Sequence, residues 1–261
     1  MLNLKFGDYV PTKLLHVGQH SSLYEVVDSK TNQVFIVKLK NYPPNSQYSK
    51  DFYLEGKVIE SMSESKNIPR LIEQQVHETF AYLVMEKLGP SLAELLNYCN
   101  GQFSLKTTLL VFDQMITLVE QLHSKGLVHG NIKPNHFLIG TNLKVDTLYL
   151  IDFENVANSR ERDHHECIGK HFEFDFLSTD ALMNKPLSWR DDMQSLAYIL
   201  IYFLKGKLPW SNLLELKFPK NTQNISEKQL QEIKKAYFKE KRYLPANVIA
   251  ADLPSKISSR G

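Results

Sequence analysis

Short apolar runs rich in β-branched and aromatic residues dominate the first part of the chain. They lie at residues 14–15, 23–27, 34–37, 68–74 and 82–85. Runs of this length and composition predict strands, and the polar stretch 28–33 predicts a turn between two of them. Residues 50–63 differ, because their apolar side chains fall on one face of a helix. The first 85 residues therefore predict a small β-rich unit with one main helix.

Helical patterns take over after the Gly89-Pro90-Ser91 break. A helix stop at Gly206 and a capping box at residues 226–229, which opens a basic helix reaching Tyr243, mark two boundaries. The helix candidates are residues 92–99, 107–124 and 188–205, and a short hairpin is predicted at 137–139 and 148–151. The fold class predicted is α+β, with a β-rich N-lobe and a mostly helical C-lobe.

Composition narrows the function classes. The 261 residues are 43% hydrophobic and 23% charged, with a net charge of +2, as in an ordinary globular protein. That balance gives no reason to expect a nucleic acid or membrane partner. The two distant cysteines, Cys99 and Cys167, indicate a reducing compartment, and the longest apolar run, residues 196–204, is too short to span a bilayer. We expect a soluble, cytoplasmic protein, with cytoskeletal association as one option.

Five short motifs follow one another in the order found in protein kinases. They resemble the kinase strand lysine, helix glutamate, hinge, catalytic loop and metal-binding triplet, and lie at 35–38, Glu55, 85–92, 129–138 and 152–154. Longer phrases such as LGPSL at 88–92, HSKGLVH at 123–129 and IKPNHFLIG at 132–140 look like the casein kinase 1 family. The resemblance covers about residues 10–213.

The resemblance implies a bilobal protein-kinase-like domain over residues 1–261. Its N-lobe would be residues 1–85, its hinge 86–91 and its C-lobe 92–261. Residues 214–261 diverge from the family, so the C-lobe is expected to be shortened at its C-terminal end.

The same resemblance places a nucleotide site. Lys38 and Glu55 match the pair that holds the ATP phosphates, and Asp152 matches the main metal-binding carboxylate. Other matched ATP-site positions are Gly18, Glu86, Leu88 and Leu138.

Two changes predict that this ATP site is vestigial. Only Gly18 remains of the three loop glycines, with His16 and Ser21 at the other two positions. An ordinary hairpin turn is the alternative interpretation of this segment. Ile36 stands where the family has alanine against the adenine ring, and its extra carbons are expected to occlude the pocket unless the backbone shifts.

The catalytic loop departs furthest from the family. Asn131 stands at the position of the catalytic aspartate, and an amide is not a useful base near neutral pH. Lys133 matches the lysine that contacts the transferred phosphate. His136 replaces an asparagine that binds the second Mg²⁺, and imidazole is a poor ligand for this hard cation. Glu154 replaces the glycine of the metal triplet, and one option is that it helps to hold a cation.

Three weaker signals have competing interpretations. Asp175 aligns with a basic substrate-reading position, where its charge would repel a phosphate. The tight cluster 164–167 is read as a polar loop rather than a zinc site. The basic helix is read as a solvated face, with docking on an acidic protein surface as the alternative. Its cations are Lys228, Lys234, Lys235, Lys239, Lys241 and Arg242.

The leading hypothesis is therefore a catalytically inactive, casein-kinase-1-like pseudokinase that serves as a protein-binding scaffold or structural component. Its partner would be a protein, such as a true kinase or a large filament or assembly, and not nucleic acid or membrane. No cofactor is required, and ATP with Mg²⁺ would bind weakly. The alternatives are a weak or unconventional Ser/Thr kinase, and an ATP-binding switch without phosphate transfer.

Overall fold

Strands and helices form close to where the apolar pattern predicts them. The computed structural model describes residues 6–18, 21–43, 48–65, 67–159, 173–214 and 226–244, with only the backbone for 48–51. The strands are β1 (Tyr9–Val17), β2 (Ser21–Asp28), β3 (Val34–Asn41), β4 (Leu71–Val76), β5 (Phe80–Glu86), β6 (Leu127–Val128), β7 (Phe137–Ile139), β8 (Leu148–Leu150) and β9 (Ala157–Asn158). The α-helices in these ranges with assigned bounds are α1 (Tyr48–Ser61), α2 (Leu92–Tyr98), α3 (Leu105–Ser124), α4 (Thr179–Leu182), α5 (Trp189–Lys205) and α6 (Glu227–Tyr243).

The chain divides into two units, and the fold is α+β and bilobal as the sequence predicts. The first unit consists of residues 1–89 and 138–154, and the second of residues 90–137 and 155–261.

The first unit is built on a five-stranded antiparallel sheet in the order β1-β2-β3-β5-β4. Buried Val26, Val37 and Val84 come from its three middle strands, and α1 packs on β4 and β5 through its buried apolar side chains. The position of β3 between β2 and β5 matters most for the site, because a central strand holds its side chains rigidly.

The second unit is mostly helical. Its helices start at hydrogen-bonding caps: the Ser104 hydroxyl accepts from a backbone amide of α3, and Ser226 forms a capping box with Gln229 at α6. Helix α5 ends at Gly206, whose φ of 74° favours glycine. Helix α3 packs against α5. In the described parts of the chain, no helix combines the length and apolar character needed to cross a membrane.

The sequence misplaced a few element ends. The strand predicted from residue 68 begins at Leu71, because Pro69 has no amide hydrogen to contribute to the ladder. The helix predicted from residue 107 begins at Leu105, since Ser104 is its cap. The hairpin strand predicted to reach residue 151 ends at Leu150.

Candidate functional site

Lys38 lies at the centre of a buried charge cluster in the first unit. Its Nζ lies 2.9 Å from both carboxylate oxygens of Glu55 and 2.8 Å from Oδ1 of Asp152. Lys38 and Glu55 are almost completely buried. A buried charge without a partner is strongly destabilising, so each of these groups depends on the others. Three residues singled out in the sequence are therefore brought together.

Three different elements position these side chains. Lys38 is on β3, where Leu23 of β2 and Leu83 of β5 are its strand partners. Glu55 is on α1, which is anchored by the buried Phe52. Asp152 follows β8 with a φ of 66°, a left-handed conformation that is uncommon for a residue with a side chain.

A second ion pair, missed in the sequence, extends the cluster. Lys40 is only 2% exposed, and its Nζ pairs with Oε1 of Glu154. The other oxygen of Glu154 lies 3.3 Å from Nζ of Lys38. The sequence does indicate that Lys40 lies on the same face of the sheet as Lys38, because residues two apart in a strand point to the same face. Glu154 thus contacts two ammonium groups.

The electrostatics of the cluster follow from burial and from its several carboxylates. Burial raises the pKa of Glu55 to about 7; Lys38 opposes this shift, while Asp152 and Glu154 add to it. Burial also acts on Lys38, but the carboxylates of Asp152, Glu55 and Glu154 hold the pKa of Lys38 well above its ordinary value. Burial would raise the pKa of Glu154, yet Lys38 and Lys40 keep it lowered.

The segment matched to the kinase glycine loop forms a tight hairpin end. The amide of Gly18 donates to the carbonyl oxygen of Ser21 at 2.8 Å. A Cβ at Gly18 would lie only 3.1 Å from that oxygen, so the close approach favours glycine. Ile36 is half-buried on β3, two residues before Lys38 and on the same sheet face.

The predicted hinge positions lie at the end of β5. Oε1 of Glu86 accepts from the backbone amide of Arg70 at 2.8 Å, so this side chain braces the start of β4. The amide of Gly89 donates to the carbonyl oxygen of Ile139 at 2.9 Å. Leu88 and Leu138 are both half-buried.

In the second unit, Asp192 holds the loop that resembles the catalytic loop. Its Oδ2 accepts from the amide of His129 at 2.8 Å and lies 2.8 Å from Nε2 of His123. Its Oδ1 accepts from the amide of Gly130 at 2.9 Å. Gly130 has a φ of 74°, and a Cβ there would meet Cδ1 of Leu187 at 2.8 Å. The loop is therefore rigidly anchored.

The three predicted catalytic-loop residues lie close together in this unit. Nδ1 of the buried His136 lies 2.9 Å from the backbone oxygen of Asn131, so it donates to that carbonyl. Nζ of Lys133 lies 3.5 Å from Oε1 of Glu173. His136 is thus used as a structural donor and Lys133 is paired with a carboxylate.

Asp175 does not present its charge as the sequence suggested. Its carboxyl is largely buried beside Tyr237 and Ser211, and burial raises its pKa. Within the described residues, its Oδ1 has no hydrogen-bond partner. The expected repulsion of a substrate phosphate is therefore not supported, because the side chain packs into the second unit.

The basic helix α6 is only partly a solvated face. Lys234 and Lys241 are buried, so the sequence interpretation is wrong for these two residues. Nζ of Lys241 donates to the carbonyl oxygens of Phe174, Asp175 and Leu177 at 2.6, 2.8 and 2.7 Å. Burial lowers the pKa of Lys241 well below its usual value, whereas three accepting carbonyls fit only the ammonium form, which has three N–H groups. The three carbonyls therefore stabilise the charged form of Lys241.

The remaining metal question concerns residues 164–167, which lie outside the described residues. In the ranges that are described, no group of three or more His, Cys, Asp or Glu side chains is arranged to hold a metal ion.

Comparison with known families agrees with this architecture. A family model described as protein kinase domain matches residues 9–257. The match includes the charge cluster around Lys38 and the loop that carries Asn131.

Proposed function

Because the chain belongs to the protein kinase domain family, we propose that it is a casein-kinase-1-like pseudokinase, which acts as a protein-binding scaffold or structural component. The observation that carries the proposal is Asn131 at the position of the catalytic base. Phosphoryl transfer relies on positioning and charge stabilisation, and on an aspartate that accepts the proton of the substrate hydroxyl. An amide accepts a hydrogen bond but does not take up that proton near neutral pH.

The surroundings of Asn131 support the same conclusion. His136 stands at a Mg²⁺-ligand position, and its Nδ1 donates to the backbone of Asn131. Lys133, matched to the phosphate-contacting lysine, faces Glu173 at 3.5 Å. Both side chains therefore have partners within the protein and stabilise the loop in the absence of substrate.

The charge cluster differs from the matched ATP site by one added carboxylate. Lys38 contacts Glu55 and Asp152, which the resemblance expects, and also lies 3.3 Å from Glu154, which stands where the family has glycine. A phosphate approaching Lys38 would meet the negative charge of Glu154 at short range. We therefore infer that the protein requires no cofactor and that ATP with Mg²⁺ binds weakly.

The partner is proposed to be a protein in the cytoplasm, such as a true kinase or a large filament or assembly. A kinase fold whose catalytic base is replaced keeps the surfaces of both units, and one fold can serve functions other than the original chemistry. Nucleic acid and membrane are not part of the proposal, because the net charge of +2 gives no indication of either partner.

A second candidate has one specific observation in its favour. The Lys38–Glu55–Asp152 arrangement is intact, with distances of 2.8–2.9 Å. That geometry favours a residual nucleotide function, either an ATP-binding switch or a weak Ser/Thr kinase.

One substitution separates loss of the base from a wider loss of the machinery. Asn131→Asp restores the carboxylate, and Asn135→Asp makes the same chemical change at an exposed position of the same loop. Transfer of radiolabelled phosphate from Mg-ATP to casein would be measured for both variants and for the unmodified protein. We expect no transfer from Asn135→Asp or the unmodified chain. Transfer by the unmodified chain that Lys38→Met abolishes would overturn the proposal. Transfer by Asn131→Asp alone would show that only the base is missing.

A further inference from the structure

Glu154 is placed between two lysines of one strand. Lys38 and Lys40 are two residues apart on β3 and point to the same face of the sheet. One carboxylate oxygen of Glu154 pairs with Lys40, and the other lies 3.3 Å from Lys38. The side chain therefore bridges both ammonium groups.

The bridge is buried enough to matter energetically. Both lysines are at least nine-tenths buried, and the side chain of Glu154 is 27% exposed. Ion pairs on the surface contribute little, but a buried lysine that loses its partner is strongly destabilised. Glu154 thus neutralises charge that water cannot reach.

Glu154 makes the charge of the cluster more negative. Counting only the described residues named here, the carboxyl groups of Glu55, Asp152 and Glu154 face the ammonium groups of Lys38 and Lys40. One negative charge is in excess when Glu55 is ionised, and the charges balance when it is protonated. Without Glu154 the cluster would be more positive by one charge in either state, which favours an incoming anion at the two lysines.

We propose that Glu154 is a resident anion that occupies Lys38 and Lys40 in place of the phosphate groups of a polyphosphate ligand. Carboxylate and phosphate oxygens are interchangeable acceptors for a lysine ammonium, so the two compete for the same N–H groups. This inference rests on the proposed function, since it concerns a site that no longer serves catalysis. Glu154 then determines whether the site accepts an anion, and Lys40 is a second phosphate-binding cation.

The test measures binding of sodium tripolyphosphate, which carries the phosphate chain of a nucleotide without its base and sugar. The full chain and its variants would be titrated by isothermal titration calorimetry in buffer without Mg²⁺. Glu154→Gln keeps the shape of the side chain and removes its charge. Glu60→Gln is the matched control, since it makes the same change at a half-exposed carboxylate on α1.

We expect Glu154→Gln to bind tripolyphosphate at least about tenfold more tightly than the unmodified chain, because a competing charge is gone. Glu60→Gln should bind like the unmodified chain. Adding Lys38→Met to Glu154→Gln should abolish the gain, which places the ligand on this lysine. Equal affinities for Glu154→Gln and Glu60→Gln, with both proteins folded by circular dichroism, would overturn the inference.

A second pair of variants keeps the test decisive if Glu154→Gln does not fold. Lys40→Met with Glu154→Gln removes both charged partners of one ion pair, so neither faces the other unpaired. It should bind tripolyphosphate more tightly than Lys40→Met alone, and no difference would contradict the role of Glu154. The two proposals fail separately. Phosphate transfer to casein would refute the proposed function, whereas the tripolyphosphate affinities test only the role of Glu154.

Discussion

Nδ1 of His136 donates to the backbone oxygen of Asn131 at 2.9 Å, so the residue matched to a metal-ligand position is bonded to the residue matched to the catalytic base. The His136 side of this hydrogen bond is buried, and Asn131 is half-buried. Asn131 and His136, which both differ from the family pattern, are thus linked through one contact. This contact helps to stabilise the loop that resembles the catalytic loop.

This contact predicts a stability cost for its removal. His136→Ala should lower the free energy of unfolding by about 1–3 kcal/mol, since the Asn131 carbonyl loses its donor and a cavity forms at the buried imidazole. Urea denaturation would measure the change. His77→Ala, at an exposed histidine of the first unit, is the control and should change stability by less. Equal effects of the two variants would show that the contact does not stabilise the loop.

Lys241 predicts a larger effect. Lys241→Met preserves most of the apolar stem but removes a charged donor from three backbone carbonyls, of which that of Asp175 keeps the indole N–H of Trp210. We expect a loss of about 3–5 kcal/mol in the free energy of unfolding. Lys239→Met makes the same change at an exposed position of α6 and should stay within about 0.5 kcal/mol of the unmodified protein. A cost for Lys241→Met as small as the control's would contradict the buried network.

The burial of Lys234 and Lys241 was readable in part from the sequence. Leu230 and Tyr237 define an apolar stripe on α6, and the two lysines continue it at helical spacing. The charge of the two lysines favours solvent exposure, whereas their spacing from Leu230 and Tyr237 predicts burial, and the structure agrees with the spacing. Their partners, Asn184 and the carbonyls of residues 174–177, are distant in sequence, so no local pattern could identify them.

The nucleotide-site motifs were easier to predict than their contacts. The family resemblance identifies Lys38, Glu55 and Asp152. The structure places Nζ of Lys38 within 3 Å of carboxylate oxygens of the other two. The sequence does not predict the role of Lys40, because its ion-pair partner Glu154 lies 114 residues away. Pairing between distant segments depends on tertiary packing, which strand periodicity alone does not determine.

Glu55 predicts a distinct pH dependence. Its pKa is raised from an ordinary value of 4.5 to about 7, so the folded protein holds this proton more tightly than the unfolded chain. The resulting contribution to stability is complete below pH 4.5 and is lost as pH rises through 7. Glu55→Gln should remove this fall from the curve of unfolding free energy against pH. Glu60→Gln, at a half-exposed carboxylate, should retain it. A fall of the same size in Glu55→Gln would assign it to another group.

Gly130 offers a test of how tightly the edited loop is packed. Gly130→Ala introduces a Cβ at a φ of 74° and at 2.8 Å from Cδ1 of Leu187. Gly101→Ala has a comparable φ of 81° but no atom within 4 Å, so it isolates the backbone strain. We expect about 1–2 kcal/mol of destabilisation for Gly101→Ala and more for Gly130→Ala, by urea denaturation. Equal costs would show that Leu187 moves away freely.

A single-turnover assay of phosphate transfer tests most directly whether the protein lacks kinase activity. Protein in excess over radiolabelled Mg-ATP would be incubated with casein, for the unmodified chain and for Lys38→Met. We expect no difference between them, because the amide of Asn131 is not a base near neutral pH and Glu154 adds a carboxylate beside Lys38. Transfer by the unmodified chain that is lost in Lys38→Met would contradict this expectation and would identify the protein as an active kinase.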